Sequence, residues 1–136
     1  MKSSKFWLAV LGAGVVANII DALVMGGLLA STMESIESMR HDTNVAWFVV
    51  GDFMFVFVMT WFYDRVYGSF SGGPKGGATF GFYVGLICNF PTWIFIHLMF
   101  KGFPYGLSWT LTIYGIIMGI IVGSVIGAIY KKPAAA

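Results

Sequence analysis

LSWTLTIYGIIMGIIVGSVIGAIY, residues 107–130, carries glycine at 115, 119, 123 and 127, every fourth position. On a helix that spacing lays the four glycines along one nearly straight stripe without side chains. In water such glycines weaken a helix by roughly 1 kcal/mol each relative to alanine. In a bilayer the backbone has no other hydrogen-bond partner, so the helix survives them. What the stripe then offers is a flat groove into which a second helix can press closely. The stretch reads as a membrane-spanning helix built to be packed against, and the chain around it reads as an all-α bundle of four transmembrane helices.

Composition agrees. Of 136 residues 58% are hydrophobic, only 10% are charged, and the mean hydropathy is +0.83. A soluble domain carries about 25% charged residues. The eight Lys and Arg and six Asp and Glu fall mostly in short gaps between apolar runs. A net charge of +2, scattered along the chain, gives nucleic acid nothing to hold. Cys88 is the single cysteine, inside an apolar run, and reads as a small buried residue.

A span needs roughly 20 apolar residues. Four stretches qualify, at about 6–30, 45–63, 78–100 and 107–130, within one domain covering 1–136. The first is too long for a signal-peptide core and has no clear cleavage site after it, so it reads as a retained helix. Four spans put both ends of the chain and the 64–77 loop on one side. That side holds Lys2, Lys5, Arg65, Lys75, Lys131 and Lys132, against Arg40 and Lys101 on the other. The positive-inside rule makes both termini cytoplasmic, in a bacterial inner membrane. The 31–44 loop, with Met33, Ile36 and Met39 at three-residue spacing, fits a helix extension, a short surface helix or a solvated turn. The inner loop DRVYGSFSGGPKGG reads as a flexible connector. Its Arg65 and Lys75 are candidates to hold a lipid headgroup.

Small residues recur every four positions elsewhere. The third span has Gly77, Gly81 and Gly85, then Asn89; the first has Gly14, Asn18, Ala22 and Gly26. The second, FMFVFVMTWFY, is bulky throughout. The expectation is that spans one, three and four pack together and span two turns toward lipid or a partner. Pro91 is expected to kink span three, because it removes a donor and crowds the Ile87 carbonyl.

Asn18, Asp21, Asp52, Asn89 and His97 lie inside spans. A carboxylate near the bilayer centre costs about 2.5–3.5 kcal/mol on insertion scales, which makes it a functional candidate by default. Asp21 and Asp52 fall at similar depth, roughly 3–5 Å beyond the midplane on the outer side at ~1.5 Å per residue. Facing each other, they would share a proton or hold a cation with help from Asn18 and Asn89. The alternative is that each carboxyl is protonated and bridges helices as structural glue. His97, near the outer end of span three, is a candidate haem or chlorophyll ligand, or a hydrogen-bonded packing residue.

No Ser-His-Asp set, metal motif, cysteine pair or dinucleotide fingerprint is present. Three stretches carry a likeness: GAGVVANIIDALVMGGLLA, with Asn18, Asp21 and Gly26; WFYDRVYGSFSGGPKGGATFGFYVGL; and the glycine-rich last span. Through them the chain resembles a family of small bacterial four-helix membrane proteins with no assigned activity. The resemblance implies the layout and no chemistry, and Asp52 is not part of its pattern. The first functional reading is therefore a non-enzymatic accessory subunit of a larger membrane complex, with lipid and other membrane subunits or further copies of itself as partners. Such a host complex would be energy-transducing, with pigment or haem reached through His97. The alternative is a small oligomeric transporter or channel for protons or cations using Asp21 and Asp52. A lipid-modifying enzyme working through the basic inner loop is a third.

Overall fold

The computed structural model describes residues 3–131, so Lys2 and Lys132 of the charge count lie outside the described residues. It is all-helical. The elements are α1 (Ser4–Leu23), α2 (Ala30–Glu34), α3 (Val45–Val66), α4 (Gly73–Met99) and α5 (Tyr105–Tyr130). A π-helical turn, Val24–Leu28, extends α1. Four helical stretches, Ser4–Leu28, Val45–Ser69, Gly73–Met99 and Tyr105–Tyr130, are long and apolar enough to cross a membrane. The chain is a multi-pass membrane protein. Below, the base is the end formed by the starts of α1 and α4 and the ends of α3 and α5; the top is the opposite end.

The helices begin where local chemistry tells them to. The Ser3 hydroxyl accepts from the Phe6 backbone N–H at 3.4 Å, and Asn44 accepts from the Ala46 N–H at 2.9 Å. Gly73 enters α4 at φ 73, a left-handed conformation that a side chain resists, and Pro74 follows in the first turn, where its missing donor costs nothing. The inner connector is consequently short. Asp64–Val66 belong to α3, Tyr67–Ser69 form a 3₁₀ turn, and α4 starts five residues before the expected 78. The stretch read as a flexible loop is mostly helix, because glycine and proline at a helix start are capping signals as well as loop signals. α4 runs unbroken through Pro91.

The tightest pairing is α4 against α5. A Cβ on Gly77 or Gly81 would run into the carbonyl oxygens of Gly123 and Gly119, and one on Gly119, Gly123 or Gly127 into those of Gly81, Gly77 and Gly73. A Cβ on Gly85 would stand 2.8 Å from the Ile116 Cα. Backbone lies directly on backbone along this seam. At its top end Gly115 leaves room for the Asn89 amide.

α1 packs against α3 and α5 and hardly touches α4, unlike the expected trio of first, third and fourth spans. It does so through Ala9, Ala13 and Ala17, all buried, rather than through the stripe ending in Ala22 and Gly26, which are exposed. Of the two glycines in that stripe, Gly14 receives the Phe53 ring of α3 and Gly26 has nothing within 4 Å of an added Cβ. The top half of the stripe, Asn18, Ala22 and Gly26, instead lines a cavity.

Two apolar clusters close the ends. At the base Tyr63, Phe80 and Tyr130 are buried, with ring centroids 5.0 Å apart for Tyr63–Phe80 and 5.6 Å for Tyr63–Tyr130. At the top Ile36, 2% exposed, packs with Phe103, Leu107 and Leu111, with Met33 and Met39 alongside. The 31–44 stretch thus begins as helix and is pinned to the start of α5 by Ile36, with Met33 and Met39 beside it, while the residues between and after them are exposed turn. α3 meets α4 and α5 sparsely. The ring contacts joining them, Phe62–Phe80, Tyr63–Phe80 and Tyr63–Tyr130, all lie at the base. Above that level a wedge opens between α3 and the α4–α5 pair.

Candidate functional site

The wedge is where the intramembrane polar residues gather. Asp21 on α1 and Asp52 on α3 approach closely enough for their carboxyls to hydrogen-bond. An ionised carboxylate is an acceptor only, so this contact requires at least one proton held between the two. From α5 the Tyr114 hydroxyl donates to Asp21 Oδ1. Three helices thus converge on one carboxyl pair.

Two cavities meet there. One of about 250 Å³ reaches from the carboxyls toward α4 and α5, past Phe55, Asn89, Trp93, Tyr114 and Met118. The other, about 540 Å³, runs toward the top between Met25, Met33, Met39, Phe48 and the mouth residues Glu34 and His41. Asp21, Asp52, Met25 and Trp93 line both, so the carboxyl pair stands at their junction.

The two amides hold the walls. Asn18 Nδ2 donates to the Gly14 carbonyl at 2.9 Å and lines the larger cavity. Asn89 Nδ2 donates to the Gly85 carbonyl at 2.8 Å, and its Oδ1 accepts from Trp93 Nε1 at 3.2 Å. Each amide is anchored one turn back on its own helix, so neither bridges directly to a carboxyl through these bonds. The structure brings Asn18, Asp21, Asp52 and Asn89 to one recess.

His97 stands apart. Its Nδ1 is 2.7 Å from the Phe103 carbonyl and its ring packs 5.1 Å from Tyr105, which ties the end of α4 to the turn before α5. Arg65 folds back on its own helix, its guanidinium 3.7 Å from the centroid of the Trp61 ring and Nη1 3.2 Å from the Trp61 carbonyl. Lys75 is exposed in the first turn of α4. Cys88 is exposed rather than buried, and it borders the smaller cavity. Among the described residues no group of three or more His, Cys, Asp or Glu is placed to hold a metal ion.

Tyr114 and Trp93 were not singled out from the sequence. A signal for Tyr114 was there: a phenol in mid-span, away from the interfaces where tyrosines anchor, needs a polar partner. No protein family, curated protein or solved structure matches the chain.

Proposed function

We propose that the chain is a small membrane transporter that takes up and releases a proton or cation at Asp21 and Asp52. The observation that carries this reading is the meeting of two carboxyls and a phenol from three different helices at the junction of two cavities. Structural glue needs a buried bond; it does not need an opening beside it. A carboxyl pair that shares a proton next to a recess can exchange that proton for another cation. The protein sits in a bacterial cytoplasmic membrane with both termini inside, supported by the bias of Lys and Arg to one side.

The test is proton flux in vesicles reconstituted with purified protein and driven by an imposed pH gradient. Asp21→Asn and Asp52→Asn should each abolish flux while the protein still purifies as a folded species. Unchanged flux in both variants sinks the reading.

A second reading, an accessory subunit of a larger complex, is favoured by the outer face of α3. Trp47 is 70% exposed, Met54 65% and Val58 57%, a bulky surface suited to another membrane helix. Extraction from native membranes in mild detergent separates the two. A large particle with other chains supports the subunit, and one of a few identical copies supports the transporter.

A further inference from the structure

The walls of the recess narrow down what it accepts. Its two parts, about 250 and about 540 Å³, together reach the size of pockets that hold drug-sized molecules, roughly 300–1,000 Å³. At the junction the polar groups are the carboxyl pair and Tyr114, with the Asn18 and Asn89 amides to either side and Glu34, Arg40 and His41 at the mouth; the walls between them carry Phe48, Phe55 and Trp93, with Met25, Met33 and Met39.

A small hard cation fits this poorly. It gives up a strongly held hydration shell and needs about six or more oxygen ligands in return, as calcium does. The Asp21, Asp52 and Tyr114 oxygens are bonded among themselves and the Asn89 oxygen accepts from Trp93, which leaves fewer free oxygens than that. An anion fits worse, because the basic residues among the described lining, Arg40 and His41, are both at the mouth, away from the carboxyl pair, and Arg40 is paired with Asp42 at 3.7 Å. A neutral apolar molecule would be served by the walls alone and would leave the costly carboxyls without a use. A large organic cation uses everything present. Its charge is spread and weakly hydrated, aromatic faces attract it, and the flexible methionines adapt to its shape.

We propose that the recess binds a hydrophobic organic cation of the quaternary ammonium or phosphonium class, its charge at Asp21 and Asp52 and its apolar groups against Phe48, Phe55 and Trp93. The assignment rests on the transport reading above and names its substrate. The exchange balances in charge. The proposed cycle starts with a proton on each carboxyl. One monovalent cation enters, one proton leaves, and the remaining proton stays shared between Asp21 and Asp52. The other titratable or charged groups that line the recess, among the described residues, are Tyr114 on α5, Cys88 on α4, and Glu34, Arg40 and His41 at the mouth. Tyr114 hydrogen-bonds to the pair through Asp21.

Calorimetric titration of the purified full chain in detergent with tetraphenylphosphonium tests this, with triphenylphosphine oxide as the neutral probe. Repeating it in buffers of different ionisation enthalpy counts the protons released. The expected result is saturable binding of the cation, near one proton released, and no saturable binding of the neutral probe. Affinity should rise with pH by up to about tenfold per unit while the exchange is one for one. Asp21→Asn and Asp52→Asn should each weaken binding by about tenfold or more. Trp93→Ala and Phe55→Ala should weaken it several-fold with the proton count unchanged. Equal binding of both probes, or no binding of the cation by the wild-type chain, overturns the assignment; neither result depends on a variant folding. If the cation fails to bind while proton flux still depends on Asp21 and Asp52, the substrate class is wrong and the transport reading stands. If that flux is absent too, both fall.

Discussion

A phenol in the middle of a membrane helix has few places to put its hydroxyl, and Tyr114 puts it on Asp21. Tyr114→Phe removes that donor and leaves a carboxyl oxygen unmet beside the recess. The expected cost is about 1–2 kcal/mol, toward the upper end for hydrogen bonds between membrane helices, read from the midpoint shift in a denaturing-detergent titration; no shift would mean that the bond contributes nothing. The carboxyls should behave as one unit. Once either is an amide the shared proton is gone, so Asp21→Asn, Asp52→Asn and the double variant should lose flux to the same extent rather than multiplicatively. Graded, multiplying losses would argue for two independent carboxyls. At this scale the sequence was informative about cost and poor about partners. Hydropathy marks Asp21 and Asp52 as expensive, and helix rise puts them at one depth. Nothing in the order of residues says that Tyr114, so much later in the chain, closes the same cluster.

At the level of helices, the α4–α5 seam separates glycines that are needed from those that are merely present. Gly81 faces the Gly119 carbonyl with no space for a methyl group, and the obstacle is backbone, which cannot rotate away. Gly81→Ala should therefore cost about 1–3 kcal/mol by overpacking. Gly51 on α3 and Gly26 beside α1 have nothing within 4 Å of an added Cβ. Gly51→Ala should be neutral or stabilising by up to about 1 kcal/mol, so equal losses at Gly51 and Gly81 would contradict the seam. The 31–44 stretch, pinned as a cap at the top, allows a local test. Ile36 anchors it from a buried position, and Ile36→Ala should cost about 2–5 kcal/mol of the cap's own stability. Hydrogen exchange should then speed up across residues 30–40 while α4 and α5 stay protected; uniform loss of protection would show that the cap is not a separate unit. Four-residue spacing made the α4 and α5 stripes legible in the sequence. The same spacing misdirected the reading of α1, where Ala9, Ala13 and Ala17 make the contact. Helices that are apolar all round carry no amphipathic arrow, so a ladder of small residues is the strongest pairing signal available, and it does not name the partner.

For the molecule as a whole, the wedge between α3 and the α4–α5 pair is open toward the top and shut at the base. Transport through the recess requires the base to open as well. The barrier there is local, the buried rings of Tyr63, Phe80 and Tyr130. Because α3 is held to α4 and α5 chiefly by these rings, while its contact with α1 runs along Val56 and Gly14, loosening the rings should let α3 tilt without dismantling the bundle. Met118 is a suitable reporter. It is buried in the core cluster, borders the smaller cavity, and stands one turn along α5 from Tyr114 on the way to the base. In a Cys88→Ser background, Met118→Cys should react slowly with a membrane-impermeant maleimide applied from the base side of oriented vesicles. Adding Tyr63→Ala should raise that rate by about tenfold or more, in proportion to the population of the base-open state. A simultaneous fall in labelling from the top side would identify two alternating openings. A rise from both sides would identify a continuous pore, and no change from the base side would place the barrier somewhere other than the rings.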